Sequence, residues 1–352
     1  MRRGCPSPRV GSVRSYSDDC SRPARRPPAG PSYKLKLALA FAAIYVVYGS
    51  TYLAIRYCVE TIPPLAAAGI RLLVAGCFLF AWAWARGVRP QRNHWMAGAV
   101  LGALYFLLSH GLLYWAEQRV PSGLVALLVA TEPMFILLLS WLLARQKIGR
   151  LSILGLSLGM LGVGLLTGAD PAINRSSLLG LAAALLASVS WAAGVVVSPR
   201  LRLPEDALMR TAIPLVCGAV MLLATAGVAS EFQRVQWSDV SLRSLLGLAY
   251  LIIFGSVVAF TAYTWLLQHC PPTLVATHTY ANPVVAVLLG WLFAAEPLNA
   301  RLVWASLAIL GAIVLIRRGE RKAAETPTAA VSNIAKVRPS LERTRRADGA
   351  TS

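Results

Sequence analysis

Displaced by 150 residues, the chain overlays itself. Between Trp115 and Ala144 the constant offset pairs Trp115 with Trp265, Gln118 with Gln268, Pro121 with Pro271, Leu124-Val125-Ala126 with Leu274-Val275-Ala276, Pro133 with Pro283, and Trp141 with Trp291. Over that stretch 12 of 30 positions are identical. An apolar bias supplies matching leucines, but hardly two tryptophans, two prolines and a glutamine in register. The chain therefore reads as a doubled unit. Glu132 stands inside the apolar run 123–144, and Asn282 takes its place in the second copy, each followed by proline.

The medium in which the doubled unit folds follows from composition. Hydrophobic residues make up 57% of the chain and charged ones 14%, and the charges gather between long apolar runs or in the tails. This is the pattern of a polytopic membrane protein. Crossing about 30 Å of hydrocarbon takes about 20 helical residues. Runs of that order occur at 36–56, 65–85, 95–115, 122–144, 151–168, 177–198, 209–229, 244–267, 272–295 and 302–316. The expected fold class is all-α integral membrane, with ten transmembrane helices.

Basic loops resist translocation, so Lys and Arg set the orientation. Nine precede the first span through Lys36. Arg86, Arg89 and Arg92 follow the second, Arg145, Lys147 and Arg150 the fourth, and Arg200, Arg202 and Arg210 the sixth. Nine more follow the last span, whereas the opposite side receives six: Arg56, Arg119, Arg175, Arg234, Arg243 and Arg301. Both termini are expected in the cytoplasm. A net charge of +19 raises nucleic acid as a partner, but the basic residues are spent on sidedness and tails, so no nucleic acid is expected. Residues 1–35 and 319–352 read as disordered basic tails, the latter suited to anionic lipid heads. Residues 1–35 lack the apolar core of a signal peptide. Six scattered cysteines show no paired spacing, and no cofactor or metal is expected.

Five spans per copy is an odd number, so the second copy enters the membrane from the other side. The expectation is two inverted five-helix repeats, 36–168 and 176–318, with a solute site near the midplane and alternating access between the copies. Loop 145–150 is basic while its counterpart 296–301 has lost most of that charge. Gly98 with Gly102, and Gly155 with Gly159, place small residues on one helix face for close packing, with Ser157 and Gly162 continuing that surface. Such faces also leave a homodimer open.

At this point particular stretches resemble a known family. Tyr48-Gly49-Ser50-Thr51-Tyr52, Ile55-Arg56, Pro63-Pro64 and Gly69-Ile70-Arg71 resemble the first two helices of EamA-family members of the drug/metabolite transporter superfamily. Trp115-Ala116-Glu117-Gln118-Arg119-Val120-Pro121-Ser122-Gly123 and Thr131-Glu132-Pro133 resemble the third and fourth. The resemblance covers about 36–318 and implies a ten-helix inner-membrane carrier, usually an exporter of amino acids, related metabolites or drug-like compounds. The chain departs from the family pattern at Gln146, where an acidic residue often closes the fourth helix, and at Asn282, where some relatives carry glutamate.

A carboxylate at membrane depth is costly unless it faces water or a partner. Glu132 is thus the first candidate for binding an amine or a proton, with Asn282 as its neutral counterpart. The alternative is a hydrogen-bonded glutamic acid that only ties helices together. Pro133 and Pro283 each remove a backbone donor and free a carbonyl nearby. Arg71, the other charge within a span, is expected to snorkel outward, to pair structurally (with Glu132 for one), or to grip a substrate carboxylate. Tyr48, Trp115, Trp191, Tyr263 and Tyr280 are candidates for cavity walls or interface anchors, and His110 and His278 for titrating groups or hydrogen-bonding spacers.

The expected function is a secondary transporter of the inner membrane that exports a small organic solute, driven by protons or by exchange. No nucleotide-binding glycine loop is present to couple ATP. A nucleotide-sugar or phosphorylated-sugar exchanger is the second carrier reading, and it calls for several basic groups where only Arg71 stands. An integral membrane enzyme lacks its usual signatures here: HExxH is absent, and the one stretch with Gly-x-Ser-x-Gly spacing, Gly155-Leu156-Ser157-Leu158-Gly159, lies inside an apolar run and not on a strand-to-helix turn. A non-transporting scaffold is the remaining alternative.

Overall fold

The computed structural model describes residues 31–144, 149–167, 175–235, 237–270, 275 and 278–319. The far tails, Arg145, Gln146 and Lys147 lie outside the described residues. What is described is helical throughout: α1 (Pro31–Cys58), α2 (Pro64–Ala85), α3 (Arg92–Glu117), α4 (Ser122–Leu143), α5 (Arg150–Thr167), α6 (Arg175–Val197), α7 (Ala207–Val228), α8 (Leu242–Tyr263, running on to His269), α9 (His278–Ala294) and α10 (Ala300–Gly319). Eight of these are long and apolar enough to cross a membrane. The apolar stretches of α5 and α9, Arg150–Leu165 and Ala281–Ala294, are shorter.

Two boundaries differ from expectation. Helix α1 begins at Pro31, not at 36, because proline suits the first helical turn and Lys34 and Lys36 are exposed, where their charges stay solvated. Helix α10 runs longer than 302–316, through Arg317 and Arg318 to Gly319, so it reaches the length its apolar core alone lacked.

Local chemistry fixes where helices start. Proline opens α2, while the Asp206 side chain accepts from Met209 N at 2.9 Å and Ser241 from Ser244 N at 3.1 Å. Two other starts are capped from a distance. Glu231, just after α7, accepts from Leu65 N (3.3 Å) and Ala66 N (2.9 Å) at the head of α2. Glu296, between α9 and α10, accepts from Ser122 N (2.7 Å), Ser122 Oγ (2.9 Å) and Gly123 N (3.1 Å) at the head of α4. Orphan N–H groups at a helix start are donors that a carboxylate satisfies well.

The helices pack across the sequence midpoint. Helix α1 lies against α8 and α9, and α6 lies against α3 and α4, while α2 and α7 pack on each other. The first helix of each half is therefore embraced by the third and fourth of the other. Two large apolar cores follow, beside two smaller clusters among the described residues. One joins Val125, Leu128, Leu181, Ala184, Ala286 and Ile309; the other joins Ile55, Leu72, Phe106, Ala219, Leu222 and Leu251. On the outside, side chains such as Leu142, Leu161, Leu186, Leu292 and Trp304 stand exposed, as lipid-facing residues do.

Small residues hold the close contacts. Gly98 and Gly102 face α7, where a Cβ on Gly102 would lie 2.7 Å from Gly218 N. Gly155 and Gly162 face α10, and Gly159 meets both Met134 and Ala312. Ser157, expected on that surface, is exposed, because two residues from Gly155 is over half a helical turn. Helices α3 and α8 share a further feature: residues Gly102–His110 and Leu251–Val258 are wound as π-helix, at matching places in the two halves.

The ends alternate along the chain. Glu296 sits at the head of α4, whereas Gly149 and Arg150 follow its far end, so these two segments lie at opposite ends of the bundle.

One of the close crossings gives a stability prediction. A Cβ on Gly49 of α1 would fall 2.5 Å from Val285 Cβ of α9, so Gly49→Val should lower the thermal stability of the purified protein, by about 1–3 kcal/mol for an overpacked contact. Gly164→Ala, at a position with open space, should leave the melting midpoint unchanged or raise it slightly.

Candidate functional site

Helix α4 is broken where Pro133 cannot donate. Ala130 and Thr131 form a turn, and helical winding resumes at Glu132. Thr131 turns its hydroxyl back onto Leu128 O at 2.5 Å, and Ser188 of α6 reaches the same carbonyl at 3.3 Å. These bonds satisfy part of the interrupted ladder and seat the break against α6. The Glu132 carboxylate stands at the break, half-buried, with no hydrogen bond or ion pair among the described residues. Tyr52 of α1 and Tyr105 of α3 are near enough to feel its charge.

Asn282 occupies the matching place in α9. There the helix continues through Pro283 without a turn, so the two prolines, alike in sequence, act differently. The Asn282 Oδ1 is buried and finds no donor among the described residues. The backbone carbonyl of Asn282 lies against Gly49, where a Cβ would approach to 3.2 Å, so the absent side chain of Gly49 lets α1 close on α9 at this level. Two acceptors at repeat-matched positions are thus left open.

Arg71 does not snorkel outward, nor does it pair with Glu132. It is buried, donating from Nη1 to Tyr114 Oη at 3.1 Å and from Nε to Ser256 Oγ at 3.3 Å. Gly255 allows this approach, since a Cβ there would stand 3.1 Å from Arg71 Nη2. The π winding of α8 presents Gly255 and Ser256 to α2, and Ser256 bonds back to Leu251 O five residues earlier. Arg71 thus pins α2 to α3 and α8, the structural-pairing option, with a tyrosine and a serine in place of a carboxylate.

The aromatic candidates fall into two clusters and one outlier. Tyr48 of α1, Tyr263 of α8 and His278 of α9 come together, with Tyr48 and His278 ring centres 5.3 Å apart and Tyr263 and His278 5.7 Å apart. His110 joins Phe106 (5.2 Å) and Trp191 of α6 (5.9 Å), and Tyr105 lies 4.5 Å from Trp191. Both histidines act as spacers, holding Tyr105 O and Val275 O at 2.8 and 2.9 Å. Trp115 stays apart from both. Arg119 stacks 3.5 Å over its ring and bonds its carbonyl, so Trp115 anchors the end of α3 and is not a cavity wall. The Tyr280 side chain lies outside the described residues.

Several groups at the site escape the sequence reading. Tyr105, Tyr114 and Ser256 carry no motif, Tyr52 belongs to the Tyr48–Tyr52 motif without being singled out, and Tyr105, Phe106 and His110 share a neighbour, Trp191, through the π winding of α3. At the end of α3, Glu117 is fully buried and neither of its oxygens meets a donor among the described residues. It is part of the Trp115–Gly123 motif, but at the edge of a span it passes for an interface residue. Near that end a cavity of about 210 Å³ opens between α4, α6, α9 and α10, lined by Arg119, Gly123, Ser177, Glu296 and Asn299 among others. None of the candidate residues named from the sequence lines it.

The EamA-like transporter family matches residues 35–168 and 178–318. The chain belongs to this family. Each match falls on one of the two halves whose first helices are exchanged in the bundle. An EamA-like relative from Escherichia coli strain K12, named as the uncharacterized inner membrane transporter YedA, is 36% identical over 289 residues, covering 81% of this chain and 92% of its own. YvbV of Bacillus subtilis, named as an uncharacterized transporter, is 28% identical and covers 80% and 92%. Protein PecM of Dickeya dadantii is 29% identical over 77% of this chain and 89% of its own. A solved crystal structure superposes with a TM-score of 0.55 at 20% identity, covering 81% of this chain and 98% of its own, a likeness of fold alone. The EamA-like membership and the relatives' names point to transport rather than catalysis, and the apolar helices make it a membrane protein.

The Arg71 node is open to test. Tyr114→Phe removes a bond to a buried charged group and should cost about 1–3 kcal/mol, read as a lower melting midpoint in detergent. Trp115→Phe, which keeps a ring beneath Arg119, should cost less.

Proposed function

We propose that this chain is a secondary transporter of the bacterial inner membrane that exports small amine-bearing solutes, amino acids and related compounds or cationic drugs, by alternating access. In this reading all ten apolar helices cross the bilayer, the two halves are inverted five-helix repeats, and both termini are cytoplasmic. The exchanged packing of α1 and α6 supports the inverted arrangement, as do the opposite ends held by 149–150 and 296–301. The basic loops and tails support the sidedness.

One observation carries the substrate class: Glu132 and Asn282 stand at matched positions of the two copies, and each offers an oxygen that no described donor satisfies. Acceptors left open inside a membrane protein are costly, and a ligand with N–H donors satisfies both. An ammonium group suits an anionic and a neutral oxygen acting together, and the Tyr48–Tyr263–His278 and Tyr105–His110–Trp191 clusters supply ring faces that attract cations. A nucleotide-sugar cargo is disfavoured, because phosphate calls for free basic groups at depth and Arg71 is engaged by Tyr114 and Ser256.

Overexpression should protect growing cells against toxic amino-acid analogues or cationic drugs, and the protecting compound should be carried by the purified chain in proteoliposomes. Glu132→Gln, at unchanged membrane level, should weaken that transport by about 10- to 100-fold, the worth of a hydrogen bond to a charged group. Asn282→Leu should do so less severely. Full transport by Glu132→Gln would remove the amine reading. Thiol labelling that places cysteines at 150 and 298 on the same side of the membrane would remove the inverted one.

A further inference from the structure

The bundle end opposite the chain termini is tied shut. Arg56 at the end of α1 donates to Glu117 O (2.6 Å) and Val120 O (3.3 Å) at the end of α3, and Tyr57 Oη donates to Phe293 O (2.7 Å) at the end of α9. Glu296 then reaches from the α9–α10 linker to the head of α4 through three bonds. In the middle of these ties stands Glu117, wholly enclosed, its two oxygens without a donor among the described residues. Arg56 lies close, but its Nη1 donates to two backbone carbonyls and leaves the Glu117 carboxylate aside.

A carboxylate enclosed without a donor is stable there only as the uncharged acid. The charged groups that act on it are Glu296 and Arg56. Two phenols also lie within electrostatic reach, Tyr52 of α1 and Tyr114 one turn earlier in α3, the latter holding Arg71. Arg119 is turned away onto Trp115. Of these, Glu296 is the group whose position holds the end closed, and it already spends both oxygens on α4. An ionised Glu117 would set a second negative charge beside it with no donor to take up the excess, and like charges in a low-dielectric setting repel.

We propose that Glu117 is a proton-binding site that governs the Glu296 latch: with the proton on its carboxyl oxygen the latch stays on the head of α4, and when the proton leaves to solvent the two carboxylates part and this end opens. The cavity reaches the latch itself, since Glu296 and Gly123 line it, while Glu117 lies behind that wall. The site is separate from Glu132 and lies at the other charged end of α3. The inference rests on the carrier reading only for its use, as the coupling step of transport, whereas the latch itself is testable without any cargo.

The test is a distance measurement on the full chain, with its six cysteines replaced and spin labels placed at Gln118→Cys and Ala300→Cys, across the latch. From about pH 5 to about pH 9 the long-distance population should grow several-fold, the range in which enclosed carboxyls lose their protons. Glu117→Gln, uncharged at every pH, should keep the short distance throughout. Glu296→Gln retains an acceptor for α4 but no charge, and should flatten the pH response without Glu117 being altered, so a poorly folding Glu117 variant leaves the test intact. A pH response unchanged in both variants, or a wild-type distance that stays fixed over the whole range, would overturn the proposal. Loss of cargo transport with the pH-dependent opening retained would count against the carrier reading and not against the latch.

Discussion

Inside hydrocarbon nothing competes with protein for a carbonyl, an amide or a carboxylate, so each polar group there is either satisfied by a neighbour or marks a place where something else belongs. In this bundle most are satisfied, and by specific means. Arg71 has its tyrosine and serine, the carbonyl of Leu128 next to the α4 break has a threonine and a serine, and the heads of α2 and α4 have borrowed carboxylates. Against that background the exceptions stand out. Among the described residues they are the oxygens of Glu132, Asn282 and Glu117, and each lies where two halves of the molecule meet.

The doubled sequence, the apolar runs and the small-residue faces were legible because they depend on properties that repeat along the chain. A hydrocarbon-length run, an offset of 150 and glycines four residues apart are periodic signals, and helical geometry converts them directly into packing. Glu132 was legible for a related reason, since a charge next to a proline inside such a run breaks the period. Arg71 was visible as a charge but not in its role. Its partners come from α3 and α8, 43 and 185 residues away, and neither Tyr114 nor Ser256 differs on paper from any other polar residue in an apolar run.

Two kinds of information were hidden altogether. One is helical winding: a π segment shifts which residues share a face, so Tyr105, Phe106 and His110 group around Trp191 in a way that a regular 3.6-residue period does not foresee. The other is depth at a span's end. Glu117 lies one residue from an exposed glutamine, and counting along the chain places it at the interface, yet in the bundle it is fully enclosed. Trp115, open between cavity wall and interface anchor in the sequence, is held by Arg119 as an anchor.

The internal repeat explains why the two halves are alike in form but differ in chemistry. Glu132 corresponds to Asn282, a turn in α4 to an unbroken stretch of α9, and Glu296 after α9 to Gln146 in the first copy. A strictly symmetric pair would place two negative charges at the midplane, and their repulsion would add to the cost of burying each. Replacing one carboxylate by an amide keeps an acceptor on both sides while removing that repulsion. At the latch the asymmetry takes another form: Glu296 is charged and its counterpart is not, so a proton on Glu117 acts on one end of the bundle and leaves the other alone.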